Sequence, residues 1–311
     1  MDNTFKKVLK NTILYLAILG KQRYKFYLAK HNPIKLMKMK YRDNMGLNLD
    51  LKNPRNLDEK VNYMSFYSDT TMWSDLADKY KVREYLKKHG LGEILNELYG
   101  VYNTPEEIDI SKLPDSFVLK TNHASATNMF VRDKNKLNID ETKKLFSKWL
   151  SMDYGIKTAT PHYSRIKPCI IAEKYLIENG NPEKSLTDYK IYCFGGKPLY
   201  VFVFSDRLAN SHEYTKMIYD LDWNPHPEFI NKGLVISKVL TKPKSFDVML
   251  KAASILSEPF PFVRVDFYEI DGNAIFSELT FTPGHNSAAS REFLIKMGDL
   301  IDLSNIETNI K

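Results

Sequence analysis

The chain has 311 residues, of which 43% are hydrophobic, 27% charged and 13% aromatic. That composition excludes a disordered tail, a collagen-like rod and a disulfide scaffold, and the length allows two or three lobes with substantial cores. The net charge of +7 is local: residues 1–42 hold eleven Lys or Arg against Asp2 alone, so this segment carries +10 and the remainder −3.

Inside the basic segment Phe5, Val8, Leu9, Ile13, Leu16, Ala17, Tyr24, Tyr27 and Leu28 recur at helical spacing, with lysines on much of the remaining face. The apolar stretch Ile13–Gly20 falls short of the roughly 20 residues a membrane span needs. No small-residue cleavage site follows it. The expected element is an amphipathic basic helix lying on an anionic membrane surface or another polyanion. The alternative is a helix packed on the protein's own body with a solvated basic face. Cys169 and Cys193 lie in apolar, strand-like runs without metal or disulfide spacing, which points to a reducing cytoplasm.

Residues 43–110 read as mainly helical. Asn56-Leu57-Asp58-Glu59-Lys60 resembles a helix start, and Ser74 is a candidate cap for the run DLADKYKVREYLKKHG, which ends at Gly90. On one continuous helix Asp75, Lys79 and Arg83 form an i,i+4 ladder. Leu91–Leu98 reads as a short apolar helix, and Gly100-Val101-Tyr102 leads into a polar, Pro-containing lobe boundary.

Phe117–Thr121 and Met129–Arg132 read as strands around a loop of small polar residues, 122–127. Lys120 in mid-strand implies an anionic partner, unless it is an edge lysine reaching to water. Ile139–Trp149 is a helix, and Lys167–Leu176 a buried strand with a polar connector behind it. DYKIYCFGGKPLYVFVFSDR is a hairpin about Gly195-Gly196, with Asp188, Lys190 and Tyr192 on one face. Residues 207–245 look irregular, as an ordered substrate loop would, and helices are expected over 245–256 and 290–303.

The stretch FPFVRVDFYEIDGNAIFSELTFTPGHN reads as two alternating runs about Asp-Gly-Asn. Arg264, Asp266 and Tyr268 share a face in the first run, and Phe276, Glu278 and Thr280 in the second. A three-residue loop sets Asp266 opposite Glu278, whereas a two-residue loop sets Ser277 there. Paired carboxylates beside an arginine suit Mg²⁺ carrying a phosphate, and an exposed charged hairpin face is the alternative.

The segments LADKYKVREY, LPDSFVLKTNHASATN, IIAEKYL, DYKIYCFGGKP and VRVDFYEIDGNAIFSELTFTPG, in this order, resemble the ATP-grasp superfamily. More narrowly, they resemble its TupA-like branch, associated with teichuronopeptide and other surface polysaccharide biosynthesis. The resemblance implies an α/β fold built of α+β lobes, with the nucleotide held between two of them. The division would be the basic segment 1–42, a helical lobe 43–110, a central lobe 111–172 and a C-terminal lobe 173–311 with the metal site.

It also implies roles. Lys120 and Lys190 would contact ATP phosphates. Glu173, Lys174, Tyr175 and Leu176 would form the hinge that receives adenine, and Asp188 would take the ribose. Asp266 and Glu278 would hold Mg²⁺, and Arg264 would steady the transferring phosphoryl group. Lys79, Arg83, His123, Ser125, Arg207, His285 and Asn286 are candidates for substrate contact. Two positions depart from the usual pattern: Thr280 stands where many relatives have Asn, and Ala124 and Ala126 stand in a loop that is elsewhere rich in glycine.

The implied activity is ATP-dependent carboxylate–amine ligation through an acyl phosphate. The expected substrates are a capsule, cell-wall or exopolysaccharide precursor bearing a uronic acid, and an amino acid or amino sugar. The expected location is the cytoplasmic face of the plasma membrane, without nucleic acid. The alternative is a glycosyltransferase of the same pathway.

Overall fold

The computed structural model describes residues 12, 20–206, 215–231, 239–286, 288–304 and 306. Most of the proposed amphipathic helix, Arg207 and parts of the 207–245 segment lie outside them. Residues 20–31 are helical and lead into α1 (Pro33–Met45), where Asn32 caps the first turn by accepting from Lys35 N. Leu28 and Ala29 pack with Leu36, Met37 and Tyr41 of α1 and with Ala159 in a small core of their own.

Helix α2 (Leu57–Tyr67) starts with a complete capping box. Asn56 accepts from Glu59 N while the Glu59 carboxylate accepts from Asn56 N. The following run is two helices rather than one: α3 (Thr71–Ala77) and α4 (Val82–Lys88). The break falls at Asp78, whose backbone turns to ψ 111° while its carboxylate accepts from Tyr80 N and Lys81 N. An Asp bonding to the backbone just ahead competes with helix continuation. The expected ladder is therefore dismantled: Asp75 pairs with Lys81, and Lys79 and Arg83 turn elsewhere. Ser74 lies inside α3 instead of capping it, and its hydroxyl accepts from Arg165.

Two antiparallel sheets follow. The smaller has strand order β1–β4–β2–β3, from β1 (Leu98–Tyr102), β2 (Phe117–Thr121), β3 (Asn128–Val131) and β4 (Ile170–Lys174). The expected helix Leu91–Leu98 is only a short turn at Gly92–Ile94, and Leu98–Tyr102, where a connection was expected to begin, is an edge strand. Helix α5 (Ile139–Leu150) covers one face of this sheet, burying Phe146 among Phe117, Leu119, Ile170 and Ala172. Short α6 (Tyr154–Thr158) follows α5.

The larger sheet runs β7–β6–β5–β8–β9, from β5 (Asp188–Phe194), β6 (Lys197–Ser205), β7 (Thr215–Tyr219), β8 (Phe262–Ile270) and β9 (Asn273–Thr280). Helix α7 (Phe246–Ser257) packs on one face and buries Met249, Ala252, Ala253 and Leu256 against Ile191, Val263 and Val265. Helix α8 (Arg291–Asp299), capped by Ser290, lies against α2, and Lys60 donates to Ile301 O at 2.8 Å.

The β5–β6 and β8–β9 hairpins have two-residue turns with positive φ at each position: Gly195 and Gly196, then Asp271 and Gly272. These are the turns whose twist matches that of paired strands. A two-residue turn alone would set Ser277 opposite Asp266. Instead, Phe267 faces Phe276 and the next pair is Asp266 with Glu278, because Ser277 is bulged out of the ladder. The bulge also corrects the expected faces. Phe276 is on the core side with Phe267, and Glu278 and Thr280 join Asp266 and Arg264 on the other.

Candidate active site

Three adjacent strands of the larger sheet lay a grid of polar groups on the face away from α7. Lys190 lies opposite Asp266 and Tyr192 opposite Arg264 across β5–β8; Asp266 lies opposite Glu278 and Arg264 opposite Thr280 across β8–β9. Asp266 is the hub. One oxygen accepts from Arg264 Nε at 2.6 Å, and the other from Arg264 Nη2 at 2.6 Å and Lys190 Nζ at 2.9 Å. Arg264 also reaches Thr280 Oγ1 at 3.0 Å and Glu278 at 3.4 Å. Lys190 has a second carboxylate neighbour in Asp188, at 3.4 Å.

Asp266 is 1% exposed. Burial pushes its carboxyl up, and the Arg264 and Lys190 charges reverse that, holding it below the usual carboxylate range. Burial likewise works against the Arg264 cation, but Asp266, Tyr192 and Glu278 hold it charged. Asp266 and Arg264 therefore stay a charged pair at every physiological pH. Asp266 and Glu278 are adjacent hard-oxygen donors of the kind Mg²⁺ takes, and here both Asp266 oxygens are engaged by Arg264 and Lys190. Among the described residues there is no cluster of three or more His, Cys, Asp or Glu with metal-binding geometry.

The smaller sheet contributes a second charged group. Val118 lies opposite Glu173, so Lys120, two residues on, is Glu173's diagonal neighbour on the same face. Lys120 Nζ and Arg83 Nη1 take the two Glu173 oxygens at 2.6 and 3.2 Å. Glu173 is buried, and Arg83 also donates to Asn96 O at 2.7 Å. Lys120 has the anionic partner its strand position implied. Lys174 is exposed at the strand end, and the Tyr175 hydroxyl accepts from Arg132 at 3.3 Å.

Lys79 links the two groups. Its Nζ donates to Ala124 O at 2.9 Å in the 122–127 loop and lies 4.0 Å from Glu278. Burial lowers its pKa in spite of that carboxylate. Ala126 in this loop has φ +58°, the left-handed region where glycine is unstrained, so a position glycine would suit is held here by alanine.

The remaining predicted substrate contacts separate. Ser125 and His285 line a cavity of about 270 Å³ that opens beside Arg264, Glu278 and Lys79. The Asn44 amide donates to His285 Nδ1 at 2.8 Å, and burial pushes this imidazole down to about 4, so it is neutral. His123 is buried and bonds Met152 O through Nε2. Asn286 points inward, accepting from the Tyr192 hydroxyl and donating to Asp58, each at 2.7 Å. Sequence reasoning missed Lys40, Asn44, Tyr154 and Thr160 in the cavity wall. Nothing in their local pattern marks them, since the wall forms only where α1 and α6 meet the larger sheet.

Residues 59–302 match the sequence profile described as TupA-like ATPgrasp, and the chain belongs to that family. It is accordingly an ATP-grasp ligase that uses ATP. No functionally curated protein matches it. Among solved structures it is similar to D-alanine–D-alanine ligase from Bacillus anthracis complexed with ATP, at 15% identity and TM-score 0.48, covering 85% of this chain and 81% of that one. It is also similar to an L-amino acid ligase from Bacillus licheniformis, at 14% identity and TM-score 0.44, over 70% of this chain and 45% of that one. A third is the ATP-grasp ligase PsnB complexed with a phosphomimetic variant of its minimal precursor, Mg and ADP, at 12% identity and TM-score 0.43, over 75% and 61%.

Proposed function

We propose that the chain joins a carboxylate to an amine at the expense of ATP, with the nucleotide between the two sheets and the carboxylate substrate in the cavity beside Arg264. The observation that carries this reading is the grid of Lys190, Asp266, Arg264 and Glu278, with Lys120 on the other sheet and Lys79 between them. The substrate carboxylate attacks the γ-phosphorus of ATP, the bond to the bridging oxygen breaks, and ADP leaves. The amine then adds to the acyl carbon of the acyl phosphate, loses its proton and expels phosphate, leaving an amide. Such phosphoryl transfer asks for positioning and charge neutralisation more than covalent help.

Lys120 and Lys190 are the phosphate contacts in this scheme. The Glu173 carboxylate fixes Lys120, and the hinge Glu173, Lys174, Tyr175 and Leu176 receives adenine, with Asp188 at the ribose. Asp266 and Glu278 would hold Mg²⁺, which supplies charge neutralisation at the phosphates when bound. Arg264, held bidentate on Asp266, keeps its charge where negative charge develops in the transition state.

The carboxylate substrate in this reading is a uronic-acid-bearing capsular, cell-wall or exopolysaccharide precursor, and the amine an amino acid or amino sugar. The glycosyltransferase alternative finds no support in the family match. Peripheral attachment to the inner face of the plasma membrane fits residues 20–31, where Phe26 and Tyr27 are 60% and 58% exposed among Lys21, Arg23, Lys25 and Lys30. Basic residues contribute roughly 1 kcal/mol each beside anionic lipid. Among the described residues no helix is long and apolar enough to cross a membrane. A Phe26→Glu/Tyr27→Glu variant that still sediments with anionic vesicles would remove the membrane role.

Calorimetry with ATP, ADP and sugar nucleotides, with and without Mg²⁺, tests the activity. Mg²⁺-dependent ATP binding that is lost in Asp266→Asn/Glu278→Gln is the expected result. Binding of a sugar nucleotide without ATP binding would overturn the ligase reading.

A further inference from the structure

The cavity beside Arg264 has a wall that the family match leaves out. The match begins at residue 59, whereas Met37, Lys40 and Asn44 of α1 line the cavity directly. The matched residues supply Lys79, Ser125, Tyr154, Arg264 and Glu278 to the lining, and α1 supplies the wall that lies before them.

Lys40 is the chemically distinctive member of that wall. Its Nζ donates to Lys157 O at 3.1 Å and Thr158 O at 3.3 Å, at the end of α6. Among the described residues no carboxylate lies within 4.0 Å of it. Burial lowers its pKa, and Lys25 and Lys157 push the same way. A half-buried ammonium bonded only to carbonyls is short of counter-charge, and an anion in the cavity is what would supply it.

The charge of the cavity as a whole points the same way. Lys40, Lys79 and Arg264 line it, and Glu278 is the single carboxylate that does, already shared with Arg264 and Thr280. The other polar lining is hydroxyl and amide, including Ser125, Thr160, Asn44 and Asn62, which suits a hydroxyl-bearing ligand. His285, being neutral, adds no charge.

We propose that the cavity takes an acidic saccharide bearing two anionic groups, its reacting carboxylate at Arg264 and a second carboxylate or phosphate at Lys40, so that α1 selects the substrate. This rests on the reading of the Arg264–Glu278 corner as the place where a carboxylate meets ATP. Lys40 is a specificity residue here, without part in the nucleotide chemistry.

The test is calorimetric titration of the full chain with three probes: glucuronic acid, glucuronic acid 1-phosphate and digalacturonic acid. Mg-ATP is titrated in parallel, and Lys40→Met and Lys40→Arg variants are compared. One of the dianionic probes is expected to bind the native chain about tenfold more tightly than glucuronic acid, the step one charge-assisted hydrogen bond supplies. The advantage is expected to vanish in Lys40→Met and return in Lys40→Arg, with Mg-ATP affinity the same in all three. Which probe gains separates phosphate from carboxylate. Equal affinity for one and two charges, an advantage that survives Lys40→Met, or no dianion binding at millimolar concentration would each overturn the proposal. Failure of Mg-ATP to bind the native chain would instead overturn the ligase reading, and the probe comparison would still decide the role of Lys40.

Discussion

Asp266 accepts from Arg264 and Lys190 in a site almost closed to solvent. Asp266→Asn removes the charge that both cations face. The expected cost is about 3 kcal/mol of stability in urea unfolding, because breaking a buried pair leaves its partner uncompensated. ATP turnover should fall by roughly 10²–10³, the usual loss when one electrostatic element of a site goes. Asp58 is the opposite case. It is 3% exposed, one of its oxygens has no partner, and burial pushes its pKa up to about 6. Its folded pKa exceeds the unfolded value, so the native state binds the proton more tightly. Stability from this group is complete below about pH 4, declines as pH rises to about 6, and is level above that. Asp58→Asn keeps the acceptor for Asn286 and removes the decline. It should add about 2–3 kcal/mol at pH 7 and almost nothing at pH 4, read from paired melting curves. The two aspartates were unequally legible: Asp266 stood in a strand with an arginine two residues away, whereas the isolation of Asp58 depends on α8 and Asn286, far along the chain.

Among the elements, those set by local chemistry were readable. The capping box at Asn56 and the Gly195-Gly196 turn need only neighbours in sequence. The break at Asp78 and the bulge at Ser277 were not, because helix spacing and alternation continue through both. The bulge is recoverable only from pairing: Asp266 and Glu278 meet in spite of a two-residue turn, so one residue must be extra. Within the Gly-Gly turn the two positions differ. A Cβ on Gly196 would approach the Glu258 Cα at 3.1 Å, whereas one on Gly195 meets nothing within 4 Å. Both have positive φ, so each alanine carries a conformational cost of about 1 kcal/mol. Gly196→Ala should be the more destabilising in chemical denaturation, because its side chain also crowds backbone. Equal losses would mean the contact with α7's end yields freely.

At the scale of the molecule, the larger sheet is two local hairpins, β5–β6 with β7 added at its edge and β8–β9, joined along one seam between β5 and β8. Each hairpin closes a two-residue turn, but the seam pairs Lys190 with Asp266, 76 residues apart. Local turns close quickly, and contacts between distant segments come later because more chain entropy must be lost first. Secondary structure should therefore return early in refolding, and Mg-ATP binding only with the slowest phase, when the seam forms. Stopped-flow circular dichroism against binding of a fluorescent ATP analogue checks this; coincident phases would contradict it. The charged grid belongs to neither hairpin alone, so a chain that has built all its strands and not yet docked them is folded to a spectrometer and empty-handed to its substrate.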